Sequence, residues 1–332
     1  MSHHAGAAPT VELSIIIVNW NSKDYLEQCL RSVVAHTRDL AFEVIVVDSG
    51  SFDGCGEMLG QRHPTVRFLQ SHHNVGFASA NNMGARMARG DVLLFLNPDT
   101  ELHGNAILRL HSALEVNRAA GVLGPKLLNT DGSLQVTCVQ ALPTILNQLL
   151  DIDQLHRWFP KRRLWTNAAM FDGRTGPESV EAISGACMMI RREVFDRVGG
   201  FSEDYFMYAE DLDLCWKVGL HGFKNLYVPS AEVVHHGGGS TRHGRSHFSE
   251  VMVPESVSRL LRKTRGEAYR TAYRWALSIA ALLRLLVIAI SYPAGLVTRR
   301  TVQWNAVFRK WVAVLRWGLG LEAWVKRYGH PD

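Results

Sequence analysis

The chain has 332 residues, enough to bury a full core in one large domain or in a domain with an appendage. Its 47% hydrophobic and 20% charged residues exclude wholesale disorder, and its five cysteines, an odd number without a CxxC pair, speak against a disulfide framework or zinc knuckle and favour a reduced, cytoplasmic setting. The formal charge of +5 is lopsided: Arg259 to Asp332 carries 14 Lys/Arg against 3 Asp/Glu and five of the nine tryptophans, while the preceding residues carry 22 against 28.

Met1 to Pro9 shows no basic segment followed by an apolar run, so no signal peptide is expected. Residues 1–10 are expected to be disordered, and His3 and His4 are left out of any site. Val11–Asn19 is an apolar, β-branched run that predicts a buried strand. Ser22 then caps a helix over Lys23–His36, with Tyr25, Leu26, Cys29, Leu30 and Val33 at helical spacing. Phe42–Val47 predicts a second strand, ending at Asp48 and a turn-rich Ser-Gly-Ser-Phe-Asp-Gly. Val66–Gln70 predicts a third strand, Ala78–Ala88 a helix, and Asp91–Leu96 a fourth strand ending at Asn97-Pro98-Asp99. Strands alternating with helices imply βαβ units and a mostly parallel sheet. In such sheets ligands bind beyond the carboxyl ends of the strands. The polar groups Asn19-Trp20-Asn21, Asp48, Asn74 and Asp99 stand there.

The pattern loosens after about residue 120. Leu134–Gly176 reads as loop-rich, with a basic-aromatic patch from Arg157 to Arg163. Ile183–Arg192 predicts a buried strand, Arg192–Val198 a short helix, and Glu210–His221 a further helix. Val233–Thr241 reads as a strand end running into His-His-Gly-Gly-Gly-Ser-Thr.

Several of these residues suit chemistry, and each has a plainer reading. Asp99, at a strand terminus, is a hard oxygen ligand suited to Mg²⁺ or Mn²⁺, although Asn-Pro-Asp-Thr is also an ordinary turn sequence. Glu210 and Asp211 open a helix, where carboxylates are favoured by the helix dipole. Nearby Tyr205, Phe206, Tyr208 and Trp216 would strip water from them and raise a carboxyl toward the range of a general base. His235 and His236 precede a glycine run and are placed to ligate a metal, or are simply structural. Asn74-Val75-Gly76 precedes a helix whose N–H groups could face an anion, or Asn74 merely caps it.

Together, SIIIVNWNS (14–22), VIVVDSGSFDG (44–54), NVGFASANNMG (74–84), LLFLNPDT (93–100), ISGACMMIRREVFDRVGGFSEDYFMYAEDLDLCWKVGLHGF (183–223) and VVHHGGGST (233–241) resemble the family-2 glycosyltransferases, particularly bacterial rhamnosyltransferase-like members. The resemblance covers roughly residues 12–245. It implies a GT-A fold, an α/β Rossmann-like mixed, mostly parallel sheet flanked by helices, over 11–255, with 256–332 as a C-terminal amphipathic helical extension. It also implies an inverting transfer from a dTDP- or UDP-sugar, such as a rhamnose or other deoxyhexose donor, to a lipid-linked or cell-surface glycan acceptor.

The resemblance assigns Asp48 to the pyrimidine, with Asn19, Trp20 and Asn21 lining the same pocket, and Asn74, Gly76 and Asn82 to the ribose and donor sugar. Asn97-Pro98-Asp99 takes the place of the family's Asp-x-Asp motif. Asn97 there removes one negative charge and leaves Asp99 as the main acidic metal ligand, with His235 or His236 as a further one. Asp211 corresponds to the catalytic base, Glu210 shapes the acceptor site, and Ser184, Gly185 and Ala186 form its floor. A nucleotidyltransferase would need a glycine-rich, basic phosphate loop after the first strand, where this chain has Asn-Trp-Asn-Ser. A catalytically silent scaffold would have lost the base or metal ligands, which are present.

In the tail, Trp275–Val297 approaches spanning length but contains Arg284, and a central Arg costs about 2.5–3.5 kcal/mol on insertion scales. Trp304, Phe308, Trp311 and Leu315 recur at helical spacing beside Arg309, Lys310 and Arg316. The pattern suits a peripheral helix on an anionic membrane at the inner face of the cell membrane; the other readings are a cap packed on protein, a homo-oligomer contact, or a span. No groove-reading motif points to nucleic acid.

Overall fold

The computed structural model describes residues 11–150, 176–237, 247–297 and 301–328. The expectations for the terminus 1–10, the basic-aromatic patch at 157–163 and the run beyond Gly237 lie outside the described residues. The chain divides into two compact units, one formed by Met1–Leu142, Lys161–Ser202 and Glu210–Arg242, the other by Pro143–Pro160, Glu203–Ala209 and His243–Asp332.

The first unit is built on β1 (Leu13–Asn19), α1 (Lys23–His36), β2 (Phe42–Asp48), α2 (Cys55–Arg62), β3 (Arg67–Gln70), α3 (Phe77–Met87), β4 (Val92–Leu96), β5 (Thr100–His103), α4 (Ala106–Val116) and β6 (Ala120–Leu128). It continues through the short β7 (Val139–Gln140), β8 (Glu178–Val180), β9 (Ala182–Ile183) and β10 (Cys187–Arg191), then α6 (Arg192–Arg197), α7 (Glu210–Leu220) and β11 (Lys224–His235). The main sheet runs β3-β2-β1-β4-β10-β6-β11-β5, with β8 also on β11. Strands β3, β2, β1 and β4 are parallel, and β10 enters antiparallel to β4. Every residue of β1 is buried, which is why its sequence is apolar apart from Ser14 and the terminal Asn19: a central parallel strand is covered on both faces.

Register brings the polar strand ends together. Asn19 pairs with Asp48 across β1 and β2, and Leu96 with Cys187 across β4 and β10. His235 pairs with Thr100 across β11 and β5. The carboxyl ends of the strands thus gather Asn19, Asp48, Asn97, Asp99 and His235 in one unit.

Several elements differ from the sequence expectation. The turn-rich run Ser49–Gly54 is followed by α2, for which no element was expected, entered through a left-handed Gly54 (φ 85°) and anchored by buried Cys55, Met58 and Leu59. β6 carries Gly121, Gly124 and Pro125, a poor strand composition, but a Cβ on Gly124 would stand 2.1 Å from Ile183 Cγ2, so packing needs glycine there. The strand expected over Ile183–Arg192 is broken at Ser184-Gly185-Ala186, because Gly185 turns its N–H onto Asp211. β11 is much longer than its expected end, with a register shift between Val228 and Glu232 at Pro229-Ser230.

The second unit contains α5 (Ile145–Leu149), α8 (His247–Arg265), α9 (Glu267–Val297) and α10 (Thr301–Gly318). Its core joins Val251, Leu261, Tyr273, Leu277, Trp311 and Trp317. Gly266, at φ 87°, makes the turn between α8 and α9. Segment 203–209 is tied to α8 by a Lys263–Asp204 ion pair at 2.7 Å and a Ser256 hydroxyl donating to the Met207 carbonyl at 2.8 Å.

Candidate active site

At the ends of β1 and β2, Asn19 and Asp48 are fully buried. The Asn19 Nδ2 donates to Asp48 Oδ1 at 2.8 Å and to the Asp53 carboxylate at 3.2 Å. Asp48 also accepts from the Ser51 and Phe52 N–H groups and from the Ser51 and Gln70 side chains. Burial pushes its carboxyl up, but these hydrogen bonds more than offset that and hold it below the ordinary value. Asp48 is therefore a fixed anion, and the Asn19 Oδ1 beside it is a buried acceptor without a protein partner. Trp20 is half-buried, and Asn21 is exposed with a left-handed backbone (φ 52°).

Asn74 organises the entry to α3. Its Oδ1 accepts from Ser49 Oγ at 3.1 Å and from the Gly76 N–H at 3.0 Å, with Gly76 at φ 81°. The Asn82 amide is spent elsewhere: it donates to the Phe201 carbonyl at 2.8 Å and accepts the Phe201 N–H at 3.0 Å. Asn82 thereby clamps α3 to the loop after Gly200.

Beyond β4, the Asn97 N–H donates to the Ala186 carbonyl at 2.9 Å, while Asn97 Oδ1 is a buried acceptor with no partner. Asp99 is buried, and His235 Nε2 lies 3.3 Å from its Oδ1. His235 Nδ1 lies 2.8 Å from Gln135 Oε1, and Gln135 Nε2 donates to Asn129 Oδ1 at 3.1 Å, which fixes the amide orientation. Nδ1 must then carry the proton, so in the neutral ring Nε2 turns a lone pair toward the Asp99 carboxylate. Two acceptors this close suit a shared cation, and a second ring nitrogen tied to an amide carbonyl is the usual support of a ligating histidine. His236 is placed differently: its Nε2 meets Glu101 at 2.9 Å and its ring packs on Tyr25. The pair Asp99 and His235 therefore fits a divalent ion such as Mg²⁺ or Mn²⁺.

A second group of donors, Asp48, Asp53 and Cys55, has ligand atoms within 4.8 Å of one another. Its carboxylates already receive Asn19, Ser51 and Gln70, and Asp53 also takes the Lys23 and Cys55 N–H groups. Burial and the Asp48 charge push the Cys55 thiol far up.

At the start of α7, Asp211 Oδ2 accepts the Gly185 N–H at 2.9 Å and Gln140 Nε2 at 3.0 Å, and Oδ1 accepts the Leu212 N–H at 2.8 Å. Asp211 keeps some exposed surface yet is surrounded by protein, and burial raises its carboxyl despite those three donors. Glu210 is buried with Oε2 unpartnered; burial first, and then the Asp211 charge, push it up to about 8. A Cβ on Gly185 would lie 3.4 Å from Asp211 Cβ, so this turn sits directly against the carboxylate. Ser184 and Ala186 flank it, with the Ser184 N–H on the Cys138 carbonyl. Tyr208 and Ala209, immediately before Glu210, both have left-handed backbone at φ 73° and 63°, strain of the kind that collects at working sites.

Residues 14–199 match the family described as Glycosyl transferase family 2, and residues 155–326 match Glycosyl transferase family group 2. The N-acetylglucosaminyl-diphospho-decaprenol L-rhamnosyltransferase of Mycobacterium tuberculosis is 32% identical over 285 residues, covering 82% of this chain and 91% of that protein. The chain belongs to the family-2 glycosyltransferases. Rhamnosyltransferase WbbL of Escherichia coli K12 is 28% identical over 247 residues, covering 71% of this glycosyltransferase and 86% of WbbL. The mannosyltransferase PcManGT from Pyrobaculum calidifontis, solved in complex with GDP-Man and Mn²⁺, shares the GT-A fold: TM-score 0.58 and 19% identity, over 97% of this chain and 91% of that one.

Sequence reasoning did not find Gln135 and Gln140, which hold His235 and Asp211. Both lie in the segment read as featureless loop, and neither has a motif to mark it.

Proposed function

We propose that this family-2 enzyme is an inverting glycosyltransferase that moves rhamnose or another deoxyhexose from a dTDP- or UDP-sugar to a hydroxyl of a lipid-linked or cell-surface glycan. The observation that carries this reading is the Asp211 carboxylate, fixed by three donors at the start of α7. The named sequence relatives act in rhamnosyl transfer, and the mannosyltransferase of the same fold was solved with a nucleotide-sugar and Mn²⁺. The catalytic domain is assigned to the first unit and the appended helical region to the second, whose helix α8 (His247–Arg265) runs across the 255/256 boundary expected from the sequence, with the enzyme working on the cytoplasmic side of the membrane.

Asp48 and Asn19 receive the pyrimidine, whose ring N–H donates to the acceptors that meet there, the Asp48 carboxylate and the Asn19 Oδ1. Asn74 and Gly76 line the adjoining donor region. Asp99 and His235 would hold the divalent ion, which when bound offsets the negative charge that develops on the departing diphosphate. The acceptor hydroxyl forms the new bond to the anomeric carbon as the bond to the diphosphate oxygen breaks, and its proton passes to Asp211. Oδ2 already has two donors and Oδ1 one, so Oδ1 is the freer oxygen to take it. Burial and the Asp211 charge push the Glu210 carboxyl up to about 8, which favours its neutral form at neutral pH and a single negative charge on the pair.

Asp211→Asn tests the assignment. It should lower kcat about 10²–10⁴-fold, the range for a positioned base. It should also retain the rise in Tm that dTDP or UDP with Mn²⁺ gives the unmodified enzyme. Retained turnover would remove Asp211 as the base. Absence of a nucleotide-induced rise in both proteins would remove the donor-site reading.

A further inference from the structure

The long helix α9 has two apolar faces. One packs into the core of the second unit through Tyr273, Leu277, Ala281 and Ile288. On the other, Trp275, Ile279, Leu282, Leu283, Leu286 and Ile290 are 49–80% exposed. At 3.6 residues per turn these six fall within an arc of roughly 100° and run for about 22 Å along the axis. A bare apolar strip of this kind marks a surface that meets another phase or partner.

The charged residues of α9 stand off the strip. Arg284 lies over the Trp311 ring at 4.1 Å and donates to the Leu149 carbonyl at 2.8 Å. Arg274 donates to the Trp317 carbonyl at 3.1 Å, and Arg270 pairs with Glu267 at 2.8 Å. By length and composition Glu267–Ile290 would suffice to cross a membrane. Its packed face and anchored arginines commit one side of the helix to protein, so only the other side is available.

Charge decides what covers it. From Ala268 to Leu321 the sequence has no Asp or Glu, and it has eight Arg or Lys, of which Arg270 and Arg316 pair with the flanking Glu267 and Glu322 while Arg309 is exposed. Two copies facing each other through this strip would bring two such segments together with no carboxylate inside either to pair the rest. An anionic lipid surface supplies the missing charge and accepts the apolar side chains.

We infer that α9 lies flat in the surface of an anionic membrane, with Trp275 to Ile290 entering the acyl boundary and the basic side chains of α10 meeting the headgroups. This goes beyond the proposed reaction and does not depend on its chemistry. The test is cosedimentation of the full chain with vesicles of phosphatidylcholine alone or with about one third phosphatidylglycerol. Wild type should bind the anionic vesicles and release from them at high salt. Ile279→Asp/Leu286→Asp should lower partitioning about tenfold or more, because two large side chains no longer enter the lipid. That variant should keep the nucleotide-induced Tm rise, which reports the first unit, and the wild-type helical circular dichroism, which reports the second. Failure of wild type to bind anionic vesicles, or equal binding by the double variant, would overturn the inference. So would a wild-type dimer in sedimentation velocity that the double variant splits, since the strip would then be a contact between copies.

Discussion

Gln140→Leu separates a residue that holds the catalytic base from one that merely fills space. Gln140 Nε2 supplies one of three hydrogen bonds to Asp211, at 3.0 Å, and the Gly185 and Leu212 N–H groups supply the others. A hydrogen bond to an ionised group contributes about 1.5–3 kcal/mol, roughly 10- to 150-fold in the ionisation equilibrium. Because Asp211 keeps some exposed surface, solvent replaces part of the loss, and about tenfold is the expected figure. The sign follows from the role: all three donors favour the carboxylate, so losing one raises the carboxyl further. The base must be ionised to accept the acceptor proton, so the acidic limb of the kcat/KM–pH profile moves to higher pH. Below the limb the variant should be about tenfold slower, while well above it the two profiles converge. Initial rates across the pH range measure this, with Tm as a check on folding. An unmoved acidic limb with a uniform loss at every pH would refute the argument, since Gln140 would then be acting only through packing.

Other consequences are as direct. Asp99→Asn and His235→Ala should each abolish the metal-dependent part of the nucleotide-induced Tm rise, and His236→Ala should preserve it, because His236 is paired with Glu101 instead. Glu210 gives a pH dependence of stability. Its carboxyl is raised from 4.5 to about 8, so its stabilisation is complete below the unfolded value and is lost as pH rises through the folded one. Wild type should lose about 3–5 kcal/mol across that window relative to Glu210→Gln, read from denaturant melts at each pH. A parallel pH dependence in the two proteins would show that Glu210 is not buried as a neutral acid. Gly124→Ala sets a Cβ 2.1 Å from Ile183 Cγ2 and should destabilise the fold by about 1–3 kcal/mol, visible as a Tm several degrees lower.

Much of the site was legible because parallel strands make it so. β1, β2 and β4 are buried and mostly apolar, broken only by the hydrogen-bonded Ser14 and Glu43 near the starts of β1 and β2, and the residues ending these runs mark the ligand-binding edge. What the sequence withheld is what register decides. His235 and His236 are equivalent as text, but neighbours on a strand point to opposite faces. The pairing of His235 with Thr100 gives Asp99 to the first histidine and Glu101 to the second. β6 escaped for a related reason, since Gly121 makes room for Val218 and Gly124 for Ile183, a fit visible only once α7 and β9 lie beside it. The same logic hid the two glutamines. Gln135 reaches His235 across 100 residues, and Gln140 reaches Asp211 across 71, from a segment with no periodicity of its own. Residues placed to meet substrate stand at element ends, where local pattern marks them. The side chains that orient them need only be near in space, so they are where function depends most on the fold and least on any readable motif.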